Sequence, residues 1–402
     1  MSYVIDRLDD FGRGITKVGS KTCFVFNALE GEIVDIDITN SNSKYLEGVS
    51  SNVLNKSNDR KNSECSYYNV CGGCNIMHMT YQKQLKFKKY KVERLLNKYG
   101  EINVLVNDVI PSNEFFYRNK VTLKVINGRL GYYKEKTHEI INISKCLLLS
   151  DAINDVVSKL NRLNLSCLNE IIIRSNYNGE ILLLIKGNNI DYKYFLDNLY
   201  DISNIIIDDD KVKVVRGNSY FIDKVSDMSF KVSIDSFYQV NHYNVENLYN
   251  KVLEYANLTG KEIVLDLYCG TGTIGMFLAR KASFVYGVEI NKSAVDDANY
   301  NKMLNNISNI EFLCSDVGLI KNKYKDIDLV IIDPPRAGLS KDAISNVLAI
   351  NSKKIIYVSC DAITLARDLK FLKEKYNICE VTPVDMFPNT YHCESITVLE
   401  RR

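Results

Sequence analysis

From Tyr243 onward, short apolar runs alternate with amphipathic stretches. Runs at 262–267, 284–288, 310–313, 329–332, 355–358 and 396–399 read as strands, most of them separated by segments of helical period. Such alternation predicts a parallel sheet with helices on both faces, a Rossmann-like α/β domain over residues 236–402. Residues 1–55 carry a different rhythm: strand-like runs at 3–8, 22–26, 32–39 and 44–50 are punctuated by Gly12, Gly14, Gly19 and Gly31, the spacing of a small β-barrel. Between them, 56–235 reads as a β-rich central domain with strands at 120–126, 170–174, 181–185 and 211–216. Its first element is an amphipathic helix at 81–99, a candidate to pack on the catalytic domain, in which Tyr81, Leu85, Val92, Leu95, Leu96 and Tyr99 fall near helical spacing.

Composition narrows the class. At 402 residues, 46% hydrophobic and 25% charged, the chain has room for two or three domains. It contains no apolar run long enough to span a bilayer and begins with no basic stretch followed by an apolar one, so a cytoplasmic monomer with no membrane partner is expected. In that compartment the eleven cysteines read as thiols, metal ligands or catalysts rather than disulfides. The net charge of +2 confines any nucleic-acid binding to local patches. The densest is Lys83, Lys86, Lys88, Lys89, Lys91, Arg94 and Lys98, where Glu93 is the only acid; such a face is suited to neutralising phosphates.

The strand ends carry the chemistry. The run Asp266-Leu267-Tyr268-Cys269-Gly270-Thr271-Gly272-Thr273 turns sharply into a helix, and the following strand ends in Glu289, placed to accept ribose hydroxyls. By itself that pattern also fits a dinucleotide. Acids at the next strand ends, Asp316 and Asp333, favour S-adenosylmethionine, whose ribose, adenine amino group and sulfonium prefer acceptors to phosphate-binding amides. Asp333-Pro334-Pro335 is followed by Arg336, not by the aromatic residue that stacks on a base in amino-methylating enzymes, which leaves carbon methylation. Carbon methylation needs a nucleophile. Cys360 stands where the strand at 355–358 meets the amphipathic segment 362–375, and a helix N-terminus favours a thiolate. Glu394 precedes a further strand, so a nucleophile and a carboxylate base converge at one sheet edge.

Cys65, Cys71, Cys74 and Cys146 offer four thiolates, a set open by spacing to either an iron-sulfur cluster or zinc, with three clustered and one remote cysteine the more familiar iron-sulfur arrangement.

Together these motifs resemble the RNA uracil-C5 methyltransferase family, the bacterial 23S rRNA and tRNA 5-methyluridine enzymes. The likeness covers nearly the whole chain: a TRAM-like, oligonucleotide-binding barrel with Gly12, Gly14, Phe24-Val25 and Gly31-Glu32; the four cysteines; Tyr117-Arg118-Asn119-Lys120; Ser236-Phe237-Tyr238-Gln239-Val240-Asn241; and 385–394. The resemblance implies that Gln239, Tyr268, Gly270, Thr273, Glu289, Asp316 and Asp333 hold S-adenosylmethionine, that Cys360 is the nucleophile and Glu394 the proton acceptor, and that the cysteines hold a [4Fe-4S] cluster in preference to zinc. It further implies an RNA substrate, 23S rRNA ahead of the tRNA T-loop. Two positions depart from the family: Ala362 stands where members commonly have proline, and Thr273 where relatives often place asparagine. A different class, a non-catalytic RNA-binding protein with a degenerate methyltransferase fold, predicts loss of Cys360 or Glu394, and both are present.

Overall fold

Near the N-terminus Cys23 and Val25 point inward while Phe24 and Phe26 face outward, a period of two that defines a half-buried strand. The computed structural model describes residues 2–134, 137–320 and 323–402. In it β1 (Ser2–Val4), β2 (Arg7–Leu8), β3 (Gly14–Val18), β4 (Lys21–Phe26), β5 (Ile33–Ser41) and β6 (Tyr45–Asn55) form one sheet in the order β1-β5-β6-β4-β3-β2. It curls around Ile5, Cys23, Val25, Ala28, Val34 and Leu46, the small barrel that the glycine spacing predicts. Strand β3 escapes the sequence pattern because its two buried residues are Gly14 and Thr16.

Helix α1 (Tyr81–Leu95) begins at Thr80, whose side chain accepts a hydrogen bond from the Lys83 amide, and continues as a π-helical turn over Leu96–Gly100. Strand β7 (Leu105–Val106) follows. A second sheet then forms from β8 (Lys120–Ile126), β9 (Arg129–Tyr133), β10 (Ile140–Asn142), β11 (Leu168–Ser175), β12 (Ile181–Gly187), β13 (Asn204–Asp209) and β14 (Lys211–Arg216), in the order β10-β9-β8-β11-β12-β13-β14. Helices α2 (Asp151–Leu160) and α3 (Tyr192–Asn198) cover it, burying Ile153, Val157 and Phe195 against Leu123, Ile171 and Leu183.

The hairpin β15 (Tyr220–Val225) and β16 (Met228–Ser233) leads into α4 (Val245–Ala256) and the catalytic sheet. That sheet is built from β17 (Ile263–Leu267), α5 (Thr273–Ala279), β18 (Phe284–Glu289), α6 (Lys292–Leu304), β19 (Ile310–Cys314), β20 (Leu329–Ile332), α7 (Lys341–Ile350), β21 (Lys354–Ser359), α8 (Ala362–Leu372), β22 (Tyr376–Val384) and β23 (Glu394–Arg401). Its order is β19-β18-β17-β20-β21-β23-β22-β7; strands β17 to β21 are parallel and β23 runs antiparallel between β21 and β22. Alternate residues feed two cores, Val264, Ile331, Ile356 and Val398 on one face and Leu265, Val330, Ile355 and Leu399 on the other. Strand order reverses between β17 and β20, which opens a crevice at their carboxyl ends, where such sheets bind ligands. Among the described residues no helix is long and apolar enough to cross a membrane.

Candidate active site

The turn after β17 is held open by backbone geometry. Tyr268, Gly270 and Gly272 all take positive φ, at 61°, 54° and 81°. A Cβ on Gly272 would stand 2.5 Å from the Phe312 ring, so only glycine fits. Glu289, ending β18, accepts from the Gly270 amide at 3.1 Å and from the Asn291 amide at 2.8 Å, which fixes its carboxylate across the turn. Thr273 opens α5 and its hydroxyl accepts from the Tyr249 hydroxyl at 3.0 Å. Asp316 accepts from the Gly318 amide at 2.7 Å beyond β19, and Asp333 follows β20. Gln239 is buried, its carbonyl accepting from Asn119 Nδ2 at 3.1 Å, in a segment held upstream by the buried Arg174 guanidinium on the Ile234 and Ser236 carbonyls.

Asp266 was not singled out as a ligand in the sequence, yet it is fully buried and neither carboxylate oxygen has a hydrogen-bond partner. Burial first, then Asp333 and Glu289, pushes its carboxyl up to about 8, and burial pushes Asp333 up to about 7. A carboxylate in the apolar run Ile263-Val264-Leu265-Asp266-Leu267 is the signal that marks it.

The register of β21 against β23 sets the second half of the site. Ser359 pairs with Ser395 in an antiparallel ladder, so Cys360 and Glu394 are the next residues outward on neighbouring strands. Glu394 is 3% exposed and Cys360 is half-buried. Asp361 caps α8, accepting from the Ile363 and Thr364 amides at 3.0 Å each, although Ala362 replaces the expected proline.

The electrostatics overturn one expectation. Burial, then Glu394, pushes the Cys360 thiol up to about 12, with Arg336 opposing. A helix terminus is worth roughly 0.3–1 kcal/mol, less than one pKa unit, so the α8 dipole loses to desolvation beside Glu394, Asp333 and Asp361. Glu394 is likewise raised well above the carboxylate range by burial and then Asp333. Arg336, which lies next to Asp333-Pro334-Pro335, donates to His392 Nδ1 at 2.7 Å, and burial together with that guanidinium holds the imidazole neutral, down to about 4. Burial thus disfavours the charged form of both Cys360 and Glu394, with one cation, Arg336, opposing it on both.

One face of the lysine-rich helix is not solvated as its sequence suggests. Lys88 is fully buried, paired with Asp385 at 2.5 Å and donating to the Phe387 carbonyl at 3.0 Å. On the same face the Tyr81 hydroxyl reaches Asp385 at 3.1 Å, Gln84 bonds Asn389, and Lys91 donates to the Tyr391 carbonyl at 2.9 Å. These positions recur at helical spacing, so one face of α1 fastens the loop 385–391 that delivers Glu394. Lys83, Lys89 and Arg94 pair with Asp59, Asp108 and Asp10, while Lys86 stays exposed.

Cys65, Cys71, Cys74 and Cys146 line one cavity of about 350 Å³. Burial raises the Cys71, Cys74 and Cys146 thiols and neighbouring cysteines raise them further. Asn154 fixes Cys146 from both sides, accepting from its amide at 2.9 Å and donating to its carbonyl at 3.1 Å. Among the described residues no three His, Cys, Asp or Glu side chains already stand in metal-binding arrangement. The donor set itself, four thiols around one cavity, fits a cysteine-held cluster.

Residues 80–402 match the family model described as tRNA (Uracil-5-)-methyltransferase, and residues 4–49 match that of the TRAM domain. A protein of Clostridium acetobutylicum described as an uncharacterized RNA methyltransferase is 38% identical over 99% of this chain and 96% of its own length. One from Caldanaerobacter subterraneus subsp. tengcongensis with the same description is 37% identical, covering 97% and 95%. The crystal structure of Pyrococcus abyssi tRNA (uracil-54, C5)-methyltransferase in complex with S-adenosyl-L-homocysteine superposes with a TM-score of 0.81 at 26% identity, covering 99% of this chain and all of that one.

Proposed function

The chain belongs to the tRNA (uracil-5-)-methyltransferase family and is an S-adenosylmethionine-dependent RNA methyltransferase, and from that premise we propose that it methylates carbon 5 of a uridine in 23S rRNA through a covalent Cys360 adduct. The observation that carries the mechanism is the adjacency of Cys360 and Glu394 across β21 and β23. With the sulfonium and the base in place, the Cys360 thiol and the Glu394 carboxyl lose their protons to solvent; the thiolate adds to carbon 6 and the π electrons move to carbon 5 as an enolate. Carbon 5 then takes the sulfonium methyl, releasing S-adenosylhomocysteine. The ionised Glu394 accepts the carbon 5 proton, the double bond reforms, and the thiolate leaves. The target base has to leave its stack for Cys360 to reach it, which favours an unpaired uridine. The Pyrococcus abyssi likeness over the whole chain supports a second reading, a tRNA T-loop uridine. Mapping 5-methyluridine in rRNA and tRNA from cells lacking this gene decides between them: loss confined to 23S rRNA supports the first, loss from tRNA the second.

Gln239, Tyr268, Gly270, Thr273, Glu289, Asp316 and Asp333 form the proposed S-adenosylmethionine site, and Asp266 joins them as a buried carboxyl behind the turn. Because Asp333 is held up to about 7, its carboxyl is partly neutral at neutral pH, and a sulfonium selects the ionised form. Affinity for S-adenosylmethionine is therefore expected to fall as pH drops through about 7, by up to about tenfold per unit, while S-adenosylhomocysteine, lacking the sulfonium charge, shows a shallower profile. Calorimetry at several pH values checks this; equal slopes would remove Asp333 from the sulfonium's neighbourhood.

Cys65, Cys71, Cys74 and Cys146 are assigned to a [4Fe-4S] cluster, whose role when bound is to tie the irregular loops around them, since methyl transfer moves no net electrons. Cys71→Ser is expected to lose iron and solubility together. Zinc without iron in anaerobically purified protein would replace this assignment.

A further inference from the structure

The water-facing side of the barrel carries aromatic residues that its core does not need. Cys23 and Val25 fill the interior from β4, which leaves Phe24 and Phe26 outward, and Tyr45 stands edge-on to Phe24 at 5.5 Å between ring centres. Arg13 lies over these rings, 4.5 Å from Phe24 and 5.5 Å from Phe26, and its guanidinium is 5.3 Å from a further ring, Phe11. Phe11 is 48% exposed at the tip of a turn built to hold it there. Asp9 accepts from the Phe11 and Arg13 amides at 2.9 and 2.8 Å, and a Cβ on Gly12 would strike Ile76 at 2.3 Å.

From Phe11 the line of rings crosses to the catalytic loop. Phe11 meets Tyr391 edge-on at 5.2 Å, Tyr391 lies 4.3 Å from His392, and His392 accepts from Arg336, the cation acting on Cys360. Lys91 sits 4.9 Å from the Tyr391 ring. Beside this line a groove of about 360 Å³ runs between barrel and α1, with Arg7, Lys86 and Lys91 on its walls; of its three acids Asp9 and Asp10 are engaged by Arg13 and Arg94, and Glu30 is exposed at the surface. Rings alternating with cations, Phe11 and Tyr45 exposed and Phe24, Phe26 and Tyr391 half-buried, continuous with a site whose proposed substrate is an unpaired base, match single-stranded nucleic acid, since every base has a face to stack and every linkage a charge.

We propose that Phe11 and Tyr391 form a stacking step for an unpaired nucleotide flanking the target uridine, so that the barrel sets the reading frame of the RNA relative to Cys360. The proposal rests on the uridine methyltransferase reading above. Phe11 touches no group in the methyl-transfer chemistry, so its removal affects capture and leaves the chemical step alone.

The test uses full-length enzyme and an RNA fragment spanning the mapped uridine, with 2-aminopurine placed in turn at each flanking position. Wild type is expected to quench the probe at one flank on binding, because a ring stacks on it. Phe11→Ala is expected to lose that quench and raise KM for RNA about tenfold with kcat within twofold, and Phe11→Trp to keep both at wild-type values. Phe11 is half in water, so the variant is expected to melt with wild type, which a thermal scan verifies. An unchanged KM and quench in Phe11→Ala, with wild type actively methylating, overturns the stacking step alone. A wild type that methylates no uridine in any RNA overturns the catalytic reading and this inference with it.

Discussion

Glutamine in place of Glu394 is expected to turn the enzyme into a trap for its own substrate. Addition of Cys360 to carbon 6 and methyl transfer to carbon 5 need no proton acceptor at position 394, but the final elimination does, so the methylated base stays bonded to sulfur. A protein–RNA species that survives denaturing electrophoresis and carries label from the methyl donor is the expected readout. Wild-type enzyme with 5-fluorouridine RNA is expected to give the same adduct, because fluorine does not leave as a cation. Cys360→Ala is expected to bind S-adenosylmethionine like wild type and lose at least about four orders of magnitude in turnover, since the carbon is never activated. Burial disfavours the charged form of both Cys360 and Glu394 in the free protein. Their ionisation has to come with the sulfonium and the base, so free enzyme is expected to react slowly with iodoacetamide at neutral pH. Free turnover by Glu394→Gln without a trapped species would show that another group takes the proton.

The second large effect is on stability. Lys88→Met leaves Asp385 buried with no cation, and breaking one partner of a fully buried ion pair costs about 3–5 kcal/mol. Lys88→Met with Asp385→Leu is expected to recover much of that loss, because the pair is then replaced by apolar groups. Recovery stays incomplete, as Tyr81 and the Phe387 amide also donate to Asp385. Urea unfolding of the three proteins measures this. A shift below about 1 kcal/mol in the single variant would mean that the pair behaves like a surface salt bridge.

Much of the fold was legible because its strands are either apolar or alternate polar and apolar residues. Residues 120–126, 211–216 and 329–332 form strands with the predicted bounds. Strand β22 was hidden by Asn377, Glu380 and Pro383, which read as loop and are tolerated near the sheet margin, where β7 covers only part of the strand. The convergence of Cys360 and Glu394 was legible as two strand termini, and their adjacency follows from a register that no local pattern encodes. The sequence marks α1 as a candidate to pack on the catalytic domain, where the structure puts it, but not which of its lysines are buried there. Periodicity marks its apolar stripe, but whether Lys88 and Lys91 face water depends on a loop some 300 residues away that offers Asp385 and the Tyr391 carbonyl. The thiol's proton affinity was misjudged for the same reason: the adjoining helix is visible in sequence, whereas the buried acids around the sulfur belong to other strands.

Strand β7 and helix α1 also say where this protein can be divided. The chain completes the outer edge of the catalytic sheet at Val106, departs to build the second sheet, and returns at the hairpin β15–β16. That second sheet is thus an insertion carried inside the methyltransferase, joined to it at two necks; it brings Cys146 to the cysteine cavity, whereas Cys65, Cys71 and Cys74 precede α1. Both necks run past the catalytic loop, Tyr117 donating to the Pro388 carbonyl at 3.0 Å and Asn241 to the Met386 carbonyl at 3.1 Å. A transplant of the second sheet between relatives therefore calls for paired cuts near both necks, and an expression fragment starting at the second neck would lack the helix that holds its active-site loop.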